Sequence, residues 1–153
     1  MATILVVDDD RVILELCSWV LVEVGGMDTL QAGGGDEAID VARRHGGAID
    51  LLLSDVVMPG GIDGVQLAEL LVVSRPAMKV LLMSGSSNDG IAAHPDWQFI
   101  WKPFQPVGLV SKIQETLGQR IPPRLETGLS TPLGQAGGKS IARGHELNTR
   151  RRN

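Results

Sequence analysis

The chain has 153 residues, enough for one domain with a full hydrophobic core and too few for two. Hydrophobic residues make up 43% of it and aromatic residues only 3%, so we expect a globular fold with an aliphatic core. A single cysteine, Cys17, excludes a disulfide framework and a cysteine-rich zinc site. No apolar run approaches the roughly 18 residues of a membrane span, and no N-terminal targeting signal is visible, so we expect a cytoplasmic protein with no membrane partner.

Charge divides the chain into two parts. Residues 1–120 carry eight Lys/Arg and sixteen Asp/Glu, a net charge of −8, whereas residues 121–153 carry a net charge of +4. We therefore predict a folded acidic domain over 1–120 and a disordered basic tail over 121–153, which contains Gly and Pro residues and lacks apolar periodicity. The acidic body argues against direct DNA binding, and the tail lacks the pattern of a helix-turn-helix.

Strand-like and helix-like segments alternate along the acidic domain. The strands are short apolar runs, and the helices have apolar residues at helical spacing and end near Gly or Pro residues. This alternation predicts an α/β fold in which helices cover both faces of a parallel sheet. In chain order we predict strand 3–7, helix 11–24, strand 28–32, helix 37–44 with Asp36 as its N-cap, strand 49–53, helix 65–73, strand 79–83, strand 99–101 and helix 105–117.

The region between the last two strands is short. Only 17 residues separate Ser84 from Lys102, and the segment 86–95 is polar and contains Gly90. We therefore predict that the fourth helix of the series, over 86–98, is short or absent. Trp97 and Trp101 are interpreted as side chains that cover this shortened region.

Chemically active side chains follow four of the predicted strands. In a parallel sheet such positions meet at one edge, where ligands bind in folds of this class. Clustered carboxylates repel one another unless a cation compensates them, and Mg²⁺ prefers oxygen ligands. The pattern therefore predicts a Mg²⁺ site at which Asp55 accepts a phosphoryl group while Ser84 and Lys102 contact its oxygens. The residues are Asp8, Asp9 and Asp10 after the first strand, Asp55 after the third, Ser84 after the fourth and Lys102 after the fifth.

The motifs that contain these residues resemble those of the receiver domains of two-component response regulators. The resemblance covers about residues 3–118. It implies a flavodoxin-like, doubly wound (βα)5 three-layer sandwich with a parallel five-stranded sheet of order 2-1-3-4-5. The matching segments are ILVVDDD at 4–10, LLSDVVMP at 52–59, DG at 63–64, LMSG at 82–85 and KPF at 102–104.

The resemblance also implies how a phosphoryl group and a metal would be held. Asp55 would be the phosphoacceptor. Asp9 would be a direct Mg²⁺ ligand, Asp8 would act mostly through water, and the carbonyl of Val57 would be a further ligand.

The same resemblance implies a conformational switch. Ser84 would be the hydroxyl that moves toward the phosphoryl group, and Phe99 would be the aromatic residue that repacks with it. Lys102 would contact the phosphoryl group and is often joined to its proline by a cis bond in this family. An ordinary core role for Phe99 stays open.

A sensor histidine kinase or a histidine phosphotransfer protein would supply the phosphoryl group, and an unidentified protein would receive the signal. The domain would be a phosphoacceptor rather than an enzyme that acts on other substrates. The loop after Asp55 is one residue longer than in the commonest regulators. In that respect it is similar to receivers that work with hybrid histidine kinases, which hints at phosphorelay.

Two alternatives stay open at this point. The run Asp8-Asp9-Asp10 also fits the opening of haloacid-dehalogenase-type phosphohydrolases, with Asp8 as nucleophile and Asp10 as acid/base. That reading leaves Asp55 without a role. The second alternative is a receiver-like interaction module that is never phosphorylated, against which the complete set of acidic residues, hydroxyl and lysine argues.

Overall fold

A computed structural model describes residues 1–86 and 96–118 of the chain. Within these residues, every strand and helix that the sequence predicts is present, some with shifted ends. The elements are β1 (Thr3–Val7), α1 (Arg11–Glu23), β2 (Asp28–Ala32), α2 (Gly35–Arg44), β3 (Leu51–Asp55), α3 (Gly64–Ser74), β4 (Lys79–Ser84), β5 (Gln98–Trp101) and α4 (Pro106–Thr116).

The five strands form one parallel sheet in the order β2-β1-β3-β4-β5, which confirms the predicted order. β1 lies between β2 and β3, with Leu5 opposite Leu30 on one side and opposite Leu52 on the other. The direction of winding reverses beside β1, because the chain moves outward to β2 and then crosses back to β3. Folds of this kind hold their functional site outside the carboxyl ends of the strands at that reversal.

Each face of the sheet carries its own hydrophobic core. Successive side chains of a strand point to opposite faces, so Leu5 and Val7 pack with α2 and α3 while Ile4 and Val6 pack with α1 and α4. Burial on both faces explains why β1 and β3 are continuous apolar runs. Each fully buried Leu or Ile contributes about 1.5–3 kcal/mol to stability.

Side-chain caps decide where α1 and α3 begin. The Asp10 carboxylate accepts a hydrogen bond from the Val12 N–H at 2.9 Å, which makes Asp10 the N-cap of α1. α3 begins with a capping box: the Asp63 carboxylate accepts from the Gln66 N–H, and the Gln66 side-chain oxygen accepts from the Asp63 N–H. These bonds satisfy N–H groups that have no partner within the helix.

The predicted cap of α2 is wrong. The helix begins at Gly35 with Gly34 as its N-cap, and Asp36 lies within its first turn. A Cβ on Gly35 would overlap the Ile62 side chain, so the helix starts where only a glycine lets it approach the loop before α3. Asp36 still favours the helix, because a carboxylate near the N-terminus interacts well with the helix dipole.

β3 begins and ends two residues later than the predicted strand 49–53. Its pairing with β1 decides this, since Leu51 lies opposite Ile4. Asp50, the residue before β3, stabilises the start of the β1–β3 pairing. Its carboxylate accepts a hydrogen bond from the Thr3 N–H at 2.8 Å. As a result, Asp55 is the last residue of the strand and not part of the following loop.

Two predictions concern residues outside the described ranges: the short or absent fourth helix, which falls mainly on 87–95, and the disordered tail over 121–153. The two tryptophans of the shortened region differ. Trp97 is 7% exposed and packs into the core on the α2–α3 face, whereas Trp101 is 56% exposed. Across 1–86 and 96–118, no helix has both the length and the apolar character to cross a membrane.

Arg75 ties the C-terminal end of α2 to the end of α3. Its guanidinium group donates hydrogen bonds to the carbonyls of Ala42 at 2.8 Å, His45 at 2.9 Å and Gly47 at 2.9 Å. The last carbonyls of a helix have no partner within it, and the planar, permanently charged guanidinium group can satisfy several of them together. Arg75 therefore fixes the spacing between the two helices.

Arg75→Ala is expected to lower the free energy of unfolding by about 1–3 kcal/mol, because the three carbonyls lose their charged donor. Urea denaturation measures this loss. Arg11→Ala is the matched control, since the ion pair of Arg11 with Glu15, at 3.9 Å, is exposed and its loss should cost at most about 1 kcal/mol. Similar losses in the two variants would show that the contacts of Arg75 do not hold the helices together.

Candidate functional site

Three carboxylates meet at the carboxyl edge of the sheet. Asp8 and Asp9 follow β1, and Asp55 ends β3. One carboxylate oxygen from each residue lies within 4.8 Å of the other two, a group that can hold a metal ion. Asp8 is 1% exposed, Asp55 is partly buried and Asp9 is exposed. The neighbouring strands β1 and β3 thus bring together residues that are far apart in sequence.

Lys102 brings a positive charge to the same edge. It follows β5, and its backbone N–H donates to the Ser84 carbonyl at 2.8 Å. Its ammonium nitrogen, Nζ, lies 3.1 Å from Asp8 Oδ2 and 3.3 Å from Asp55 Oδ2. The peptide bond between Lys102 and Pro103 is cis, as the resemblance implies. The lysine therefore bridges the two less exposed carboxylates and leaves Asp9 on the open side.

Burial and mutual repulsion set the protonation of this group. Burial raises the pKa of Asp55, and the neighbouring charges of Asp8 and Asp9 raise it further, although Lys102 opposes them. Burial alone would lower the pKa of Lys102, but the hydrogen bond and charge of Asp8, together with the charge of Asp55, raise it. The lysine therefore stays protonated, and one ammonium group faces three carboxylates.

The donor set fits a hard cation. The side-chain ligands that Asp8, Asp9 and Asp55 offer are carboxylate oxygens, the ligand type that Mg²⁺ prefers. Lys102 brings one positive charge against these three carboxylates, so the group can still accommodate a cation. The carbonyl of Val57 stays a predicted further ligand. Val57 lies just beyond β3, and its side chain is 56% exposed.

Ser84 and Phe99 lie in β4 and β5, the two strands on the side of β3 away from β1. Ser84 ends β4, one residue after Met83, which lies opposite Asp55. It is fully buried, and its hydroxyl donates a hydrogen bond to the Ser86 carbonyl at 2.8 Å. Phe99 lies in β5 and is partly buried against the core on the α2–α3 face. The sheet thus places Ser84 at the same carboxyl edge as Asp55. Phe99 packs against the core on the α2–α3 face.

Asp10 does not join the carboxylate group. Its carboxylate accepts the N–H of Val12 as the cap of α1, and its own N–H donates to Asp8 Oδ1 at 2.9 Å. The phosphohydrolase alternative requires Asp10 as an acid/base, and this capping role occupies the carboxylate that it would use. The structure instead places Asp55 beside Asp8, Asp9 and Lys102, whereas the alternative gives Asp55 no role.

Gly64 is a site residue whose role the sequence did not reveal. The pair Asp63-Gly64 formed part of the resemblance, but only the structure shows what the glycine does. A Cβ on Gly64 would overlap the Asp55 carbonyl oxygen and would lie 3.1 Å from the Ser54 hydroxyl. The N–H of Gly64 also donates to the Val56 carbonyl at 2.9 Å. The first residue of α3 therefore packs directly on the backbone of Asp55.

Gly64→Ala is expected to destabilise the protein by about 1–3 kcal/mol, because the added methyl group must displace the end of β3. The matched control is Gly108→Ala in α4, where the nearest atom would be 4.0 Å from the new Cβ. That change should be neutral or should stabilise the helix by up to about 1 kcal/mol. Urea denaturation compares the two. A neutral Gly64→Ala would mean that the close approach to Asp55 carries no packing constraint.

Comparison with known proteins gives a consistent result. The family model described as response regulator receiver domain matches residues 4–114. Transcriptional regulatory protein YvrH of Bacillus subtilis (strain 168) is 33% identical over 120 residues, which cover 76% of this chain and 49% of that protein. Sensor kinase CckA of Brucella abortus (strain 2308) is 32% identical over 128 residues, which cover 76% of this chain and 12% of that protein. The chain thus spans half or less of the length of these relatives.

Solved structures agree. The receiver domain of the hybrid histidine kinase CckA is 30% identical, with a TM-score of 0.64 and coverage of 76% of this chain and 99% of that one. A receiver domain protein from Clostridium thermocellum is 22% identical and shows the shared fold, with a TM-score of 0.69 and coverage of 84% and 100%. The family match, the strand order and the group of three carboxylates with a lysine all lead to one conclusion: this chain belongs to the response regulator receiver domain family.

Proposed function

We propose that this chain accepts a phosphoryl group on Asp55 from a phosphohistidine of another protein and thereby switches its conformation. The observation that carries the proposal is the position of the Lys102 Nζ, between Asp8 and Asp55 and beside the group of three carboxylates. Phosphoryl transfer requires mainly positioning and charge neutralisation, and this arrangement supplies both.

In the proposed reaction, a carboxylate oxygen of Asp55 attacks the phosphorus atom. The phosphorus–nitrogen bond of the donor breaks as the phosphorus–oxygen bond forms, and the freed imidazole takes a proton from solvent. The product is an acyl phosphate on Asp55. Lys102 already lies 3.3 Å from Asp55 Oδ2 and can pair with a phosphoryl oxygen after the transfer. Asp55 attacks as the carboxylate anion, and a cation beside it would favour that form, since burial raises the pKa of Asp55.

This cation would be held by Asp8, Asp9, Asp55 and the carbonyl of Val57. Mg²⁺ is the natural choice, because all these ligands are oxygens and the ion must leave room for phosphate oxygens. When bound, Mg²⁺ neutralises the carboxylates and the transferring phosphoryl group together. The chain's own contribution is to place Asp9 on the open side of the group and to keep Lys102 charged.

The switch would follow from a change in hydrogen-bond partner. Phosphorylation adds a charge of about −1.5 to −2 and three acceptor oxygens at Asp55. The Ser84 hydroxyl, which donates to the Ser86 carbonyl in this structure, would donate to a phosphoryl oxygen instead. Phe99 would then repack against the core residues that it contacts on the α2–α3 face. The phosphorylated state favours this arrangement because only there are the new contacts made.

A histidine kinase or a histidine phosphotransfer protein is the proposed donor. The similarity to the receiver of a hybrid histidine kinase supports a phosphorelay, as does the longer loop after Asp55. The proposed output is a contact with another protein in the cytoplasm. Direct DNA binding by residues 1–120 is not expected, since they carry a net charge of −8.

Incubation with acetyl phosphate and Mg²⁺ is expected to add one phosphoryl group to the wild-type chain and none to Asp55→Asn, as measured by intact mass spectrometry. Asp28→Asn, an exposed aspartate at the start of β2, is the matched control and should be modified like the wild type. Removal of Mg²⁺ with a chelator should abolish the adduct. An unmodified wild type, or an adduct that persists in Asp55→Asn, would overturn the proposal.

Mg²⁺ is expected to raise the stability of the unphosphorylated protein, because an ion that binds only the folded chain adds about 2.7 kcal/mol at 100 times its Kd. Asp9→Asn should remove most of this gain, since it deletes the exposed ligand and spares the buried ion pair of Asp8 with Lys102. Urea denaturation with and without Mg²⁺ measures the gain, and Asp28→Asn is again the control. If Asp9→Asn were stabilised as much as the wild type, Asp9 would not be a ligand.

A further inference from the structure

Ser54 is a buried polar residue to which the proposed reaction gives no role. It lies in β3 between Leu53 and Asp55 and is fully buried. Leu52, two positions before it, and Val56, two positions after it, belong to the hydrophobic core on the α2–α3 face, so the Ser54 side chain points into the same core. A hydroxyl buried among apolar groups costs free energy unless it is hydrogen-bonded. The partner of this hydroxyl therefore indicates what Ser54 does in an otherwise apolar strand.

The partner is the backbone of Asp55. The Ser54 hydroxyl donates a hydrogen bond to the Asp55 carbonyl oxygen at 2.9 Å. The N–H of the same peptide group belongs to Val56, and it donates to the Met83 carbonyl in β4 at 3.0 Å. Both polar ends of the peptide group after Asp55 are thus hydrogen-bonded, the carbonyl to the Ser54 side chain and the N–H to the neighbouring strand.

The first residue of α3 packs against the same carbonyl oxygen. A Cβ on Gly64 would overlap the Asp55 carbonyl oxygen and would lie 3.1 Å from the Ser54 hydroxyl, so the three groups are in close contact. Such close packing and the two hydrogen bonds leave the peptide group little freedom to rotate. Rotation of this peptide group would change the backbone dihedral ψ of Asp55. The contacts therefore also fix the direction in which the Asp55 side chain leaves the strand.

We propose that Ser54 is a positioning residue, whose hydrogen bond to the Asp55 carbonyl holds the Asp55 carboxylate 3.3 Å from Lys102 Nζ and beside the other two carboxylates. This inference rests on the proposed function, because it concerns the residue that would accept the phosphoryl group. The same peptide group leads into the segment that contains Val57, so Ser54 influences two of the groups that would hold the cation. Ser54 touches no reacting atom, but the rate of transfer depends steeply on how the attacking oxygen is placed.

Ser54→Ala on the full chain tests the proposal. It is expected to slow phosphorylation by acetyl phosphate at saturating Mg²⁺ by at least about fivefold, because the Asp55 carboxylate is no longer held in one position. It should also raise the Kd for Mg²⁺ by at least about fivefold, as measured by isothermal titration calorimetry without a phosphodonor. Ser54→Thr keeps a hydroxyl on a side chain that strands accept well, and it should retain most of the wild-type rate and affinity.

The matched control is Ser18→Ala. Ser18 is also buried, and its hydroxyl also donates to a backbone carbonyl, that of Leu14 at 2.7 Å, but it lies within α1 and makes no bond to the peptide group of Asp55. Each alanine variant loses one buried hydrogen bond of the same kind, so urea denaturation should show similar losses of stability. The phosphorylation rate and the Kd for Mg²⁺ should change in Ser54→Ala and stay at their wild-type values in Ser18→Ala.

A purely structural role for Ser54 would make the two alanine variants alike. The proposal is overturned if Ser54→Ala reacts and binds Mg²⁺ as Ser18→Ala does, or if Ser54→Thr is no better than Ser54→Ala. If the wild type binds Mg²⁺ but accepts no phosphoryl group, the proposed function fails, and the Mg²⁺ affinities of the same variants still decide the role of Ser54. A wild type that neither binds Mg²⁺ nor accepts a phosphoryl group would overturn both proposals.

Discussion

The ion pairs of Lys102 with Asp8 and Asp55 hold the site together, and much of the surrounding structure depends on them. Asp8 is 1% exposed, and a buried carboxylate without a partner would cost several kcal/mol. The lysine follows β5, at the edge of the sheet, whereas Asp8 follows β1 and Asp55 ends β3, two central strands. Its long side chain thus links an edge strand to the centre of the sheet, and the strand order decides that it can reach both carboxylates.

This compensation is incomplete, and its incompleteness is what suits the site to phosphoryl transfer. One ammonium group faces three carboxylates. The pKa of Asp55 is raised, mainly by burial and further by the charges of Asp8 and Asp9. A site with fully balanced charge would be more stable but would have less affinity for a cation and for the phosphoryl group that follows. Natural proteins commonly accept such local strain where function requires it.

Helix α3 runs from the site to the C-terminal end of α2. Its first residue, Gly64, packs on the backbone of Asp55, and Leu70, Leu71 and Ser74 near its end line a groove beside α2. Arg75 then ties the end of α3 to the end of α2. Gly64 and Arg75 thus anchor the two ends of α3, the first against β3 and the second against α2.

The sequence alone determined the alternation of strands and helices, because the apolar runs of β1, β3 and β4 and the helical spacing in α1 and α4 are local patterns. It also predicted Asp8, Asp9, Asp55, Ser84 and Lys102 as site residues, since each follows a predicted strand. Local patterns could not determine the start of α2 at Gly35 or the limits of β3, which depend on contact with Ile62 and on pairing with β1.

Only the tertiary structure decided the properties that arise from proximity. These are the distances from Lys102 to its two partners, the raised pKa of Asp55, the use of Asp10 as a cap and the contact of Gly64 with the Asp55 carbonyl. The physical reason is the same in each case: packing forces, hydrogen bonds and charge interactions act over a few ångströms, and residues far apart in sequence reach that range only when the sheet has assembled.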